Sequence, residues 1–426
     1  MTISDRSVPL QQFVREYIDA HFKEQEAFLA ELVKVPSDNP PGDCAPHAER
    51  AATLLQQMGF SVEKHPVPAD TVHGVGMISA TNLIVRLAFG SGGPCIALNA
   101  HGDVVPPGTG WKHDPYGAEV VQDPVHGPVM YGRGVAVSKS DFATYAFALL
   151  AVKEFASRHG GLSGTLELQL TYDEETGGDI GPRWLLEQGI SKPDLAISAG
   201  FSYAVTTAHN GCLHLAVTVK GHPGHAAMPQ TGIDAMEAAN GILTALYAHR
   251  ADLAKVGSQT TGISHPTLNV GLIKGGINTN VVPDRVELRL DRRIIPEEDP
   301  AAAETSLRAL IEAAAAKFPG ISVDIRRVLL ALPLVRLPGA TPLIEALQRH
   351  GAHFFGTDIA VHGVPLYTDA RHYTTAGIPA VLYGAGPRTL QEAGGHGADE
   401  CLRLEDMRRA TQVVACTLAD LLAQSP

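Results

Sequence analysis

Apolar positions recur at helical spacing over residues 11–34, where Phe13, Tyr17, Phe22, Phe28 and Leu32 share a face until Val35-Pro36-Ser37 stops the run. The turn cluster PSDNPPGD follows, then a helical stretch, HAERAATLLQQMGF, closed by Gly59, and a short strand around SVEKHPV. TNLIVRLAF and CIALNAH read as strands. The second is a continuous apolar run, as expected for a strand covered on both faces. A long helix, SDFATYAFALLAVKEFASRH, precedes TLELQLTYDEE, a strand that runs into acids. Strands alternating with helices of this length predict an α/β fold, a mostly parallel sheet with helices on both faces.

The pattern changes between about Gly211 and Val328. There it reads strand, helix, strand, strand, helix, strand, carried by CLHLAVTVKG, GIDAMEAANGILTALYAHR, LNVGLIKGG, RVELRLDRR, AAAETSLRALIEAAAAKF and SVDIRRVLL. That is a self-contained ferredoxin-like order. The expected organisation is therefore a larger α/β domain built from residues 1–210 and 329–426, with an inserted α+β domain at 211–328.

Composition narrows the class. With 426 residues, 45% hydrophobic and 18% charged, the chain can bury two cores, which excludes disordered and fibrous classes. A formal net charge of -12, with no basic run, argues against nucleic-acid and anionic-membrane partners. Cys44, Cys95, Cys212, Cys401 and Cys416 form no CxxC pair and read as small buried hydrophobes in a reducing compartment. No signal-peptide pattern or transmembrane-length apolar run is visible, so the cytoplasm is expected.

Candidate chemistry lies where strands end, since doubly wound sheets gather functional groups at the carboxyl ends of their strands. CIALNA ends in His101-Gly102-Asp103, and TLELQLTY ends in Asp173-Glu174-Glu175. A third cluster, GGHGADE, places His396 near Asp399 and Glu400. A histidine and a carboxylate can ligate a divalent metal while a second carboxylate orients the ring. A neighbouring, non-ligating glutamate can then move the proton of an attacking water.

ALNAHGDVVPPG, the W-x-x-DP of GWKHDPYG, YGRG and TYDEETGG occur in order, followed by GHPGHAAMP, GGINTNVVPD, LDRRIIP, TDARH, AGIPAVLYGAGP and HGADE. In that order and rough spacing the chain resembles the M20 family of metallopeptidases and amidohydrolases, from PSDNPPGD to the last helix. The resemblance implies His101, Glu175 and His396 as metal ligands, Asp103 as the carboxylate orienting His101, and Glu174 as the general base. It also implies that His225 of the inserted lid domain stabilises the oxyanion, reaching into a partner subunit's site, with Asn280 and Arg293 binding substrate. Arg293 would grip a substrate carboxylate with its planar fork.

Two positions depart from the family pattern. Where the family reads GRGxxD, with an aspartate bridging two metal ions, this chain has GRGVAV, and Val137 takes the bridging place. After PDLAIS, where the family carries an acid, it has Ala199-Gly200-Phe201-Ser202. Two close divalent ions would then lack the anionic ligands that offset their repulsion. What remains, two histidines and one carboxylate, suits one ion, Zn2+ or Mn2+. Asp141, one turn beyond Val137, reads as an exposed or capping acid at a helix start, and Ser138-Lys139 as an incidental pair rather than a nucleophile and its base.

The expected activity is metal-dependent hydrolysis of a C–N bond in a small carboxylated substrate, such as an N-acyl amino acid or a dipeptide. The alternatives are hydrolytic deamination of an aromatic amine, and a non-catalytic ligand-binding member with a degenerate metal site. The resemblance also implies a homodimer, since the family's inserted domain, here with a helix of apolar spacing at Ile233, Met236, Ala239, Ile242 and Leu243, pairs across a two-fold axis.

Overall fold

The computed structural model describes residues 4–423, and the chain falls into two compact units. One comprises the residues up to Thr207 with Arg336–Val361 and those from Thr368 onward; the other comprises Ala208–Val335 with His362–Tyr367.

The larger sheet has eight strands. They run in the order Glu63–Pro66, Thr81–Phe89, Gly164–Thr171, Cys95–His101, Leu195–Ser198, Ala380–Leu382, Ala204–His209, Ala360–Val364. The central neighbours, from Gly164–Thr171 through Ala380–Leu382, pair in parallel, and antiparallel strands flank them. This is the α/β architecture the alternation predicts. Cys95–His101 sits between two parallel partners and is buried from Ile96 to His101, which is why its sequence lacks a polar face. Helix Lys139–His159 is buried on every side over its first eleven residues, so it too lacks a polar stripe there. It packs against helices Ser4–Val33 and Leu404–Leu422.

The pattern did not reveal a small three-stranded sheet, Glu119–Asp123, Gly127–Tyr131 and Cys401–Arg403. Its strands are three to five residues long, too short for a period to register, and the third comes from the far end of the chain.

The second unit has a four-stranded antiparallel sheet in the order Thr267–Gly275, Arg285–Ile294, Gly211–Lys220, Ser322–Ala331. With helices Ala235–Leu253 and Pro300–Ala315 this is the ferredoxin-like arrangement. Along Gly211–Lys220 the residues Leu213, Leu215, Val217 and Val219 pack into a core with both helices, while Cys212, His214, Ala216 and Thr218 face the other side. Ala239 and Ile242 join that core and Leu243 packs against it, so most of the apolar spacing on this helix serves the fold of the unit.

All five cysteines are free thiols; Cys95 and Cys401 are only partly buried, against the expectation of full burial. Among the described residues no helix is long and apolar enough to cross a membrane.

Candidate active site

In the first unit His101 pairs directly across from Thr171, so parallel register carries His101-Gly102-Asp103 and Asp173-Glu174-Glu175 to the same end of the sheet. The His101 main-chain N–H donates to Ser138 Oγ at 2.9 Å. Its ring Nδ1 lies 2.9 Å from the Asp103 carbonyl oxygen and 3.5 Å from Asp103 Oδ1. A carbonyl only accepts, so Nδ1 carries a proton, and Nε2 is the ring nitrogen that a metal ion could take in place of a proton.

The orienting contact thus comes first from the Asp103 main chain. The Asp103 carboxylate does further work: it accepts from Asn39 Nδ2 at 3.0 Å, the Glu174 N–H at 3.3 Å and the Glu175 N–H at 3.2 Å. Burial alone would raise its pKa, but the bonds from His101 and Asn39 hold it below the usual carboxylate range. Asp103 therefore fixes the short turn Glu174–Thr176 that presents both glutamates. Asp173, at φ 88, makes the bend that leads into this turn.

Donor atoms of His101, Glu174 and Glu175 lie within 4.8 Å of one another. Glu174 Oε2 is 4.0 Å from His101 Nε2, and His396 Nε2 is 3.5 Å from Glu175 Oε1. His396 is the outlying member, with 69% of its side chain exposed. Burial pushes the Glu174 carboxyl well above the ordinary glutamate range; the nearby His101 opposes this, while Glu175, Asp369 and Asp103 add to it. Burial would depress His101, yet the bond to Asp103 and the charges of Glu174, Asp103 and Glu175 raise its ring well above the ordinary histidine value.

The positions that break the family pattern have a structural basis. A side chain at Gly200 would start 2.7 Å from Leu382 Cβ and 2.8 Å from the Tyr383 nitrogen, so no acid fits there without moving the strand. Asp141 corrects the expectation of an exposed acid, for its carboxylate is fully buried. Asp141 Oδ1 accepts the Ala385 N–H at 2.8 Å and the Gly200 N–H at 3.4 Å, and Oδ2 has no hydrogen-bond partner among the described residues. Desolvation raises its pKa to about 7. Lys139 Nζ donates to the Leu32 and Val35 carbonyls at 3.2 and 3.3 Å, so it is engaged in anchoring helix Ser4–Val33 and the chain just after it.

Three residues gain roles that the sequence reading had not given them. Asp369 and Arg371, in the landmark TDARH, cover the loop after the glutamates. Arg371 donates to the Gly177 carbonyl, and a Cβ on Gly178, already at φ +70, would lie 2.0 Å from Asp369 Oδ1. Only glycine fits both constraints. Glu400 binds Arg133 Nη1 at 2.6 Å and accepts the N–H groups of Gly134 and Ala136 at 3.1 and 3.0 Å, tying the GRG loop to the segment that carries His396. The available signal was the recurrence of these motifs as ordered landmarks, which marks positions without assigning contacts.

In the second unit, His225 bridges Val281, and the Ala226 N–H donates to the Asn280 carbonyl at 3.0 Å, so the structure brings His225 and Asn280 together on exposed loops. Arg293 stands on strand Arg285–Ile294 with its fork already engaged: Nε to Asp291 Oδ1 at 2.9 Å and Nη2 to Asp291 Oδ2 at 3.2 Å.

The electrostatic balance of the first site indicates what it takes. Asp103, Glu174, Glu175 and Asp369 gather around His101, with Asp173 beside Asp369 and Asp103, and Arg371 as a buried cation beside Asp369. Neither oxygen of Asp369 has a hydrogen-bond partner among the described residues, and burial pushes that carboxyl up to about 6. Surplus negative charge around an imidazole whose Nδ1 is already engaged fits a divalent cation at Nε2. The donor set is that of a metal-dependent hydrolase.

Comparison with known proteins agrees. The model of Peptidase family M20/M25/M40 matches residues 97–420, and the chain belongs to that family. It is 28% identical over 398 residues to a succinyl-diaminopimelate desuccinylase of Methylobacterium nodulans, covering 90% of this chain and 92% of that one. Among solved structures, the dipeptidase Dug1p of Saccharomyces cerevisiae superposes with a TM-score of 0.76 at 15% identity, covering 98% of this chain and 99% of its own. The YXEP protein of Bacillus subtilis, a dinuclear metal binding peptidase of the M20 family, gives 0.65 at 16% identity, with 95% and 99% covered. The chain is thus a hydrolase of peptide or amide bonds from a metal-dependent family.

Proposed function

We propose that this enzyme cleaves the amide bond of a small carboxylated substrate, an N-acyl amino acid or a dipeptide, in the cytoplasm, using one Zn2+ or Mn2+ ion held by His101, Glu175 and His396. The observation that carries the reading is Glu174: its buried carboxyl has a raised pKa and lies 4.0 Å from Nε2 of His101. An ion bound beside it would supply Lewis-acid polarisation of the carbonyl and a more acidic water.

Glu174 takes the proton of the attacking water and returns it to the leaving nitrogen; a carboxyl with a raised pKa suits both halves of that transfer. Asp103 keeps Glu174 and Glu175 in place through their N–H groups, and Ser138 fixes the backbone of His101. His225 of the partner subunit would stabilise the oxyanion, with Asn280 and Arg293 among the substrate-binding groups. Arg293 must then share its guanidinium with Asp291 or leave it.

The single-ion assignment rests on Val137 and on Gly200, where no side chain fits. In crystals grown with Zn2+ or Mn2+, anomalous scattering should show one ion at His101, Glu175 and His396. Two fully occupied ions a few ångströms apart at that place would overturn it.

A homodimer is the expected assembly. In the second unit, strand Thr267–Gly275 lies at the sheet edge with Leu272 and Ile273 exposed, and helix Ala235–Leu253 exposes Met236 and Tyr247. An open ladder bearing apolar side chains invites pairing with a second copy. Light scattering at micromolar concentration should give the mass of two chains. A monomer would contradict the assignment.

A further inference from the structure

A second group of potential ligands lies wholly within the ferredoxin-like unit. Cys212 and His214 are two residues apart on strand Gly211–Lys220 and so face the same side. In the antiparallel register His214 stands directly opposite Asp291, and Cys212 opposite Arg293. The four side chains therefore meet on the face of the sheet away from the two helices.

Cys212 Sγ is 3.2 Å from His214 Nε2 and 3.8 Å from Asp291 Oδ2, and Nε2 is 3.0 Å from that same Oδ2. One proton on Nε2 can point along only one of these two short lines. A single ion satisfies all three atoms: a point about 2.0 Å from each lies at the centre of their triangle, close to the ~2.0–2.3 Å of zinc bonds to N, O and S. The chemistry agrees with the spacing. A thiolate, a neutral imidazole and a carboxylate carry two negative charges against the two positive charges of the ion, and a soft sulfur ligand selects Zn2+ over Mg2+ or Ca2+. Cys212 is buried, whereas His214 and Asp291 are about one-third exposed, which leaves a side open for entry and for a fourth ligand, water.

We propose that Cys212, His214 and Asp291 form a zinc site in the inserted domain, outside the catalytic ligand set. Because Asp291 also holds Arg293, bound zinc fixes the carboxylate that positions this guanidinium.

Cobalt substitution tests it on the full-length protein, since a thiolate bound to Co2+ gives a near-ultraviolet charge-transfer band that the nitrogen and oxygen ligands of the catalytic site cannot produce. Titration of the metal-free protein with Co2+ should develop that band in the wild type, complete by two equivalents, and in Glu175→Gln, complete at one. The band should vanish in Cys212→Ser and fall strongly in His214→Gln, while the metal-free melting temperatures of these variants stay near that of the wild type. Zn2+ should bleach it by displacement. No band in the wild type, or a band of undiminished intensity in Cys212→Ser, would overturn the proposal. A band that depends on Glu175 and not on Cys212 would overturn it equally. Failure here leaves the hydrolase reading intact, because turnover of the Cys212→Ser enzyme is measured separately.

Discussion

Replacing Glu174 by Gln should lower turnover by roughly 10²-fold or more while leaving fold, metal content and substrate affinity nearly unchanged. The substitution keeps the shape of the side chain and removes its ability to carry a proton. That transfer occurs only in the transition state, so its loss appears in kcat far more than in KM. Metal content decides a point that geometry alone leaves balanced, because the donor atoms of Glu174, Glu175 and His101 lie within 4.8 Å of one another. If Glu174 is the base, Glu174→Gln retains its ion and Glu175→Gln loses it. Near-normal turnover in Glu174→Gln, on a substrate found by screening N-acyl amino acids and dipeptides, would exclude the base assignment.

In metal-free protein, Asp141→Asn should flatten the decline of stability between pH 5 and pH 8 relative to the wild type. Desolvation raises the Asp141 carboxyl from 3.8 to about 7. The folded state therefore holds a proton that the unfolded chain has already released. The stability linked to that proton is complete below about pH 4 and is lost as pH rises through 7. A shift of about three units corresponds to at most about 4 kcal/mol. Asn cannot ionise, so the variant lacks this contribution to the slope. Urea unfolding across the range reads the difference directly, and equal slopes for the two proteins would show that Asp141 ionises as freely in the fold as in water.

Much of this molecule was legible along the chain. Cys95–His101 could be read because a strand covered on both faces must be apolar throughout, and Gly211–Lys220 because a half-covered strand must alternate. The strand-to-acid junctions at His101 and Asp173 pointed to the candidate site, since few places in a parallel sheet tolerate a carboxylate after an apolar run. The order of the remaining landmarks identified the family. Local sequence also predicted the lid, whose βαββαβ order forms one continuous segment of the chain.

Other features depend on contacts between distant segments. Nothing near Asp141 indicates that its carboxylate is buried against Gly200 and Ala385, because both partners come from loops that follow distant strands. The grip of Glu400 on the GRG loop joins segments 264 and 266 residues apart. The main work of Asp103, holding the N–H groups of Glu174 and Glu175, exists only once parallel register has aligned the two strand ends. Cys212, read along the chain as one more buried hydrophobe, meets His214 and Asp291 only through antiparallel pairing. The sequence determines periodicity, and periodicity tells which face of each element is covered. Which carboxylate lies beside which imidazole is decided by strand register and chain crossing, and no local pattern encodes those.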